Sequence, residues 1–193
     1  MVADGGSTDR TVSVATLADR VLIGVQGRAA QMNLGARSAN GDILIFLHAD
    51  CLLEDGALDE AVLRLARPGV AAGCFRMCVP QPHWLYRTIA ECATARVRLF
   101  GIVYGDQGLY LRRELFDRAG GFPHLRFMED VFLSLKLRRL GRIVVTNKRI
   151  FVSPRRWQKT GIVRQTLCNW GLTALAASGI HPDRLARYYP EVR

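Results

Sequence analysis

The chain has 193 residues, 49% hydrophobic and 23% charged, which is the composition of a folded globular domain and not of a disordered or fibrous chain. No run of about 18 apolar residues is present, which excludes a membrane-spanning helix, and Met1–Gly6 shows neither the basic start nor the apolar run of a signal peptide. The formal net charge is +10, and from Lys136 onward thirteen Lys or Arg stand against two acids, Asp183 and Glu191, an excess that suits a phosphate-bearing ligand, an anionic membrane surface or nucleic acid without choosing among them.

The length fits one domain with a substantial core. No repeat, low-complexity tract or long linker divides it, so a single domain over 1–193 is expected. The five cysteines follow no metal-site spacing: Cys74 and Cys78 lie four apart with no second pair nearby. Unpaired, mostly buried thiols in a reducing cytoplasm are the expectation.

In chain order, Val2-Ala3 read as the end of a strand, followed by Asp4-Gly5-Gly6-Ser7-Thr8-Asp9. The glycines permit a tight turn, and Ser7, Thr8 or Asp9 can cap a helix over 10–20. Strand, glycine turn and helix start form a general approach to a nucleotide, because free N–H groups there attract anions; a plain βα turn would use the same residues. Residues 21–25 read as a second strand and 29–39 as a helix. Asn40-Gly41-Asp42 is a turn.

Ile43-Leu44-Ile45-Phe46-Leu47 then reads as a strand buried on both faces. It ends in His48-Ala49-Asp50, two polar groups able to hold a cation at the sheet edge where α/β proteins bind ligands. The competing reading makes Asp50 the cap of the next helix. A helix over 58–67, a strand over 70–79 and a long helix over 84–100 follow. Gly105-Asp106-Gln107-Gly108 leads into a short strand at 109–111, and a helix from Arg112 ends at Gly120-Gly121. Met128-Glu129-Asp130 opens a helix to Leu140. There the acids serve either the helix dipole or a substrate as general base.

Residues 143–145 and 150–152 read as two short strands. Arg155-Arg156-Trp157 can clasp a diphosphate and stack on a sugar or base, as can surface arginines packed on a Trp. The apolar segment 162–180, with Trp170, reads as a helix covering the sheet, and a peripheral membrane contact is the second role open to it. Strands alternating with helices at this spacing imply βαβ units and a three-layer α/β/α sandwich with a mainly parallel sheet.

Taken together, Asp4–Thr11, Gly27–Asn33, Gly41-Asp42, His48-Ala49-Asp50, Gly120-Gly121-Phe122 and Met128-Glu129-Asp130 resemble, in order and spacing, the family 2 glycosyltransferases of the GT-A fold. Leu47–Asp50, Gly105–Gly108 and Arg155–Trp157 are most similar to a bacterial branch described as arsenosugar-biosynthesis or selenodomain-associated glycosyltransferases. The resemblance implies transfer of a sugar from a nucleotide-diphosphate donor to a small-molecule or lipid-linked acceptor, with Mn²⁺ or Mg²⁺, in a cytoplasmic protein. It places Asp4, Gly5, Ser7, Arg28, His48, Asp50, Arg155 and Arg156 at the donor, with Asp50 and His48 on the metal. Asp130 becomes the catalytic base, with Glu129 beside it, and Asp106, Gln107 and Trp157 line the acceptor side.

Two departures from the family pattern stand out. His48 occupies the place of the first Asp of an Asp-x-Asp element and brings no charge. The family's first strand and helix are also missing from the sequence, so unpaired backbone groups on the neighbouring strands and low stability are expected. A nucleotidyltransferase and a non-catalytic binding protein are the rival readings. Nucleic acid is not the expected partner, because acids in the cleft repel phosphate.

Overall fold

The computed structural model describes residues 1–189. β1 (Val2–Asp4) pairs in parallel with β2 (Val21–Ile23), Val2 opposite Val21. Between them lie a short helix α1 (Thr11–Val14) and a 3-10 turn over Ala15–Leu17, much less than the expected helix over 10–20. The reason is packing. α1 buries no residue, and Val14 and Leu17 are 65% and 99% exposed, so no tertiary contact sustains a longer helix.

α2 (Arg28–Ser38) leads to β3 (Ile43–Phe46). Its buried Asn33 is satisfied from both ends: Nδ2 donates to the Phe122 carbonyl at 2.9 Å and Oδ1 accepts the Phe122 N–H at 3.0 Å. After β3 come β4 (Cys51–Leu53), α3 (Ala57–Leu65), β5 (Val70–Cys78), α4 (Trp84–Phe100), β6 (Leu109–Arg112), α5 (Arg113–Arg118), α6 (Glu129–Leu137) and β7 (Arg142–Val152). The short α7 (Arg155–Thr160), then α8 (Ile162–Ala177) and α9 (Pro182–Leu185) follow.

The larger sheet has the order β3-β6-β5-β7-β4. β5 and β7 run parallel, while β3–β6, β5–β6 and β4–β7 are antiparallel. This corrects the mainly parallel sheet expected from the sequence. Alternating helices and strands show that crossovers are long enough, but they do not fix the direction in which the next strand returns. β4 follows β3 after only four residues, far short of a parallel crossover. The three layers hold. Phe75 and Met77 of β5 join a core with α3 and the first half of α4, while Ala72 and Cys74, facing the other way, join one with α2, α5 and α6.

β7 is one strand of 11 residues, not the two short strands expected. Its polar middle stays in the sheet because α3 and the loop before it supply carboxylates. Glu60 accepts the N–H groups of Asn147 and Lys148 at 3.1 and 3.0 Å, and Glu54 accepts that of Arg149 at 2.8 Å. The five cysteines are all unpaired, with Cys51 and Cys74 buried and Cys92 exposed. α8 covers less of the sheet than expected: its start, Ile162, meets the main core, while Leu172 packs with Phe127, Met128 and Val131. No helix among the described residues is long and apolar enough to cross a membrane.

The two sheets do not join. Among the described residues β1 pairs only with β2, and β3 only with β6. Met1–Ala3 and Ile43–Ala49 line a cavity of about 640 Å³ together with residues of α2. One backbone group on that side is capped by a side chain: Gln31 Nε2 donates to the Ala3 carbonyl at 2.8 Å.

Candidate active site

The turn after β3 carries His48 and Asp50 to the sheet edge. Asp50 is followed directly by β4, and α3 begins only at Ala57 without a side-chain cap, so the helix-cap reading of Asp50 is overturned. Asp50 is exposed, and Arg155 Nη2 stands 3.6 Å from its Oδ2. His48 Nε2 is shielded from solvent with no hydrogen-bond partner.

Against His48 lies the 3-10 turn Gly105–Gln107. A Cβ on Gly105 would sit 2.5 Å from His48 Nε2, so only glycine allows this approach. The Gly105 N–H donates to Asp130 Oδ2 at 2.5 Å. Asp106 Oδ1 is also shielded and unpartnered. Burial pushes the Asp106 carboxyl above its ordinary range, with Arg96 and His48 pulling it back.

Gln107 departs from expectation. It is fully buried behind the turn and does not face the cavity. Successive residues of a 3-10 turn point about 120° apart, so Asp106 and Gln107 cannot share one wall. Gln107 Oε1 instead accepts from Arg96 Nη2 at 2.5 Å. Arg96 also donates to the Ile102 carbonyl at 3.2 Å and stacks 3.4 Å from the centre of the Tyr104 ring, bracing the turn from behind.

The second acidic element enters through Met128, whose φ of 62° is left-handed, rare for a side chain of this size. It turns the chain so that Glu129 points inward and Asp130 toward the cavity. Glu129 is 1% exposed, and Arg28 Nε lies 3.0 Å from its Oε1, while its Oε2 has no partner. Burial, reinforced by the Asp130 charge and opposed by Arg28, raises the Glu129 carboxyl to about 7. Asp130 Oδ1 accepts its neighbour Val131's N–H at 2.7 Å.

α7 supplies Arg156, whose guanidinium lies 4.2 Å from the centre of the Tyr189 ring, and Trp157, buried edge-on against Tyr86 with its Nε1 unpartnered. α8 adds Asn169 and Thr173, and Thr173 Oγ1 is 2.6 Å from Tyr104 Oη. Together these elements enclose a cavity of about 170 Å³ whose walls include Arg28, His48, Asp50, Asp106, Asp130 and Trp157.

Arg155 touches the site through Asp50, and Glu129 through Arg28. Asp4, Gly5 and Ser7 lie outside this wall. Asp4 closes its own turn, accepting the N–H groups of Gly6 and Ser7 at 2.8 Å and the Ser7 hydroxyl at 2.5 Å, which holds its carboxyl below the usual range. The larger cavity beside β1 shares Arg28 and His48 with the smaller one, so the two adjoin. Sequence reading missed Tyr104, Phe127, Asn169, Thr173 and Tyr189, none of which stands in a polar motif.

Among the described residues, no three His, Cys, Asp or Glu side chains converge as a metal cage. Asp50 offers the carboxylate oxygen that a hard cation prefers, with other positions left to phosphate oxygens and water, and the shielded His48 nitrogen would be a second, softer ligand.

Acids and arginines thus meet at the edge of an α/β sheet, the side on which such folds take their ligands. The family model for glycosyl transferase family 2 matches residues 1–128, and the chain belongs to that family. Its fold is that of the GT-A glycosyltransferases. A mannosyltransferase from Pyrobaculum calidifontis, solved with GDP-Man and Mn²⁺, is 28% identical with a TM-score of 0.56 over 75% of this chain and 44% of that one. S. aureus TarS 1–349 with UDP-GlcNAc is 18% identical with a TM-score of 0.57, covering 78% and 48%. Glucosyl-3-phosphoglycerate synthase from Mycobacterium tuberculosis is 19% identical with a TM-score of 0.56, covering 86% and 65%. The chain thus spans less than two thirds of each of these solved chains. No curated protein matches it.

Proposed function

We propose that the protein is a metal-dependent, inverting glycosyltransferase that uses a nucleotide-diphosphate sugar. The observation that carries this reading is the convergence of Asp50, Asp106 and Asp130 with His48 and Arg28 on one cavity in a family 2 chain. Asp130 is the base. The acceptor hydroxyl attacks the anomeric carbon from the face opposite the diphosphate, its proton passes to the Asp130 carboxylate, and the C–O bond to the diphosphate breaks, releasing the nucleoside diphosphate. The Gly105 N–H fixes the Asp130 carboxylate for this task.

Asp50 and His48 would hold a divalent cation, which when bound offsets the charge growing on the leaving diphosphate. Arg28, Arg155 and Arg156 supply further positive charge on the donor side. Asp106 and Trp157 form the acceptor wall. The solved mannosyltransferase with GDP-Man and Mn²⁺ supports the metal and the donor class. The finer kinship with arsenosugar-type enzymes rests on Leu47–Asp50, Gly105–Gly108 and Arg155–Trp157.

Calorimetric titration with UDP and GDP, with and without Mn²⁺, tests the reading. Metal-dependent binding of one nucleotide, lost in Asp50→Ala, is expected. A folded chain that binds neither nucleotide under either condition overturns it in favour of a non-catalytic relative.

A further inference from the structure

We infer that the outer face of α8 docks on an anionic lipid bilayer. α8 has two unlike sides. Asn169 and Thr173 line the cavity, and Gln165 and Leu172 are buried. On the outside, Val163, Leu167 and Trp170 are 58%, 59% and 54% exposed. Their spacing of four and then three residues, continued by exposed Ala174, places them in one stripe along the helix. Exposed apolar residues are ordinary, and α3 also exposes Leu58 and Val62 four apart; the stripe on α8 differs in carrying a Trp.

Charge selects the occupant. Between Asp130 and Asp183 the chain carries ten Lys or Arg and no acid, and on α8 itself Arg164 stands exposed beside Val163 and Leu167. An apolar stripe with Arg164 at its side and a Trp for the headgroup level, in a stretch of chain without acids, fits an interfacial helix on anionic lipid. A second copy fits worse, because a two-fold contact through α8 would bring Arg164 and the acid-free, basic stretch around it toward the same charge on the other copy. Nucleic acid would have no use for the stripe. With 16 residues and no span long and apolar enough to cross, α8 lies flat.

The inference stands on α8 and is independent of the glycosyltransferase reading. If both hold, the cavity lined by Asn169 and Thr173 lies beside the headgroups, where a lipid-linked acceptor would be presented. Flotation of the full chain with phosphatidylcholine vesicles, with or without phosphatidylglycerol, is the test. Binding is expected only to the anionic vesicles. It should weaken as salt rises from 0.1 to 1 M and fall by about tenfold or more in Leu167→Asp/Trp170→Asp. Circular dichroism melting of the double variant confirms that the fold survives, and the milder Trp170→Ser replaces it where it does not. Absence of flotation with the wild-type chain, or equal flotation of a folded variant, overturns the inference. So does a dimer in sedimentation that the same substitutions disperse, which would mean that a second copy covers the stripe.

Discussion

Adjacent carboxylates at 129 and 130 meet opposite environments, and this separates their roles. Asp130 opens onto the cavity, held by the Gly105 N–H, so Asp130→Asn should lower kcat by about 10²–10⁴-fold while nucleotide affinity in calorimetry stays near wild type. Loss of affinity in proportion to activity would make Asp130 a binding group and remove it as base. Glu129 is sealed beside Arg28, with its carboxyl raised from 4.5 to about 7. Between these values the folded chain keeps a proton that the unfolded chain has released. Stability therefore falls as pH rises through that window and levels off above it, by roughly 3 kcal/mol at most. Urea unfolding at pH 5 and pH 8 should show this decline in the wild type and a flatter profile in Glu129→Gln. An unchanged slope in the variant would place the titrating group elsewhere.

The strands and helices set those residues in place, and β5 shows how tightly. At Gly73 a Cβ would lie 2.2 Å from the Tyr110 ring, which is wholly buried in the adjoining β6. Gly73→Ala must push that ring or the backbone aside and should cost about 1–3 kcal/mol in chemical denaturation. A loss below about 0.5 kcal/mol would show the ring moving freely. Some elements were legible because their signals are local. α4 spans 84–100, as expected between Pro82 and Gly101, and β3 follows its apolar run. β7 was not, because Glu60 and Glu54, 87 and 95 residues before the amides they accept, hold its polar middle in the sheet. The same division runs through the site. His48, Asp50, Asp106, Asp130 and Trp157 stand in readable motifs and do meet in space. Arg96, which braces the Gly105–Gln107 turn through Gln107, Ile102 and Tyr104, looks in sequence like one more helix arginine.

The whole molecule is unevenly consolidated. The five-stranded sheet is buried on both faces, with Tyr110, Phe75 and Ile150 wholly enclosed. The β1–α1–β2 unit has only three-residue strands and leaves Ile23 and Val25 70% and 78% exposed. It faces the rest of the chain across α2 and the 640 Å³ cavity, and no strand pairing among the described residues bridges the gap. Units with few buried contacts open locally at a fraction of the global free energy. The Gly24 N–H, which donates to the Asp4 carbonyl at 2.9 Å, should therefore exchange with solvent at least about 100-fold faster than the amides of Gly73 and Cys74 in β5. Amide hydrogen exchange read by NMR checks this directly. Because Asp4 and Gly5 belong to the same unit, a nucleotide bound there should slow the Gly24 amide while leaving β5 unaffected. Equal protection at Gly24 and Cys74 without ligand would mean that α2 alone couples the two sheets into one cooperative body. The cavity between them would then be a rigid feature of the fold, with no local opening of its own.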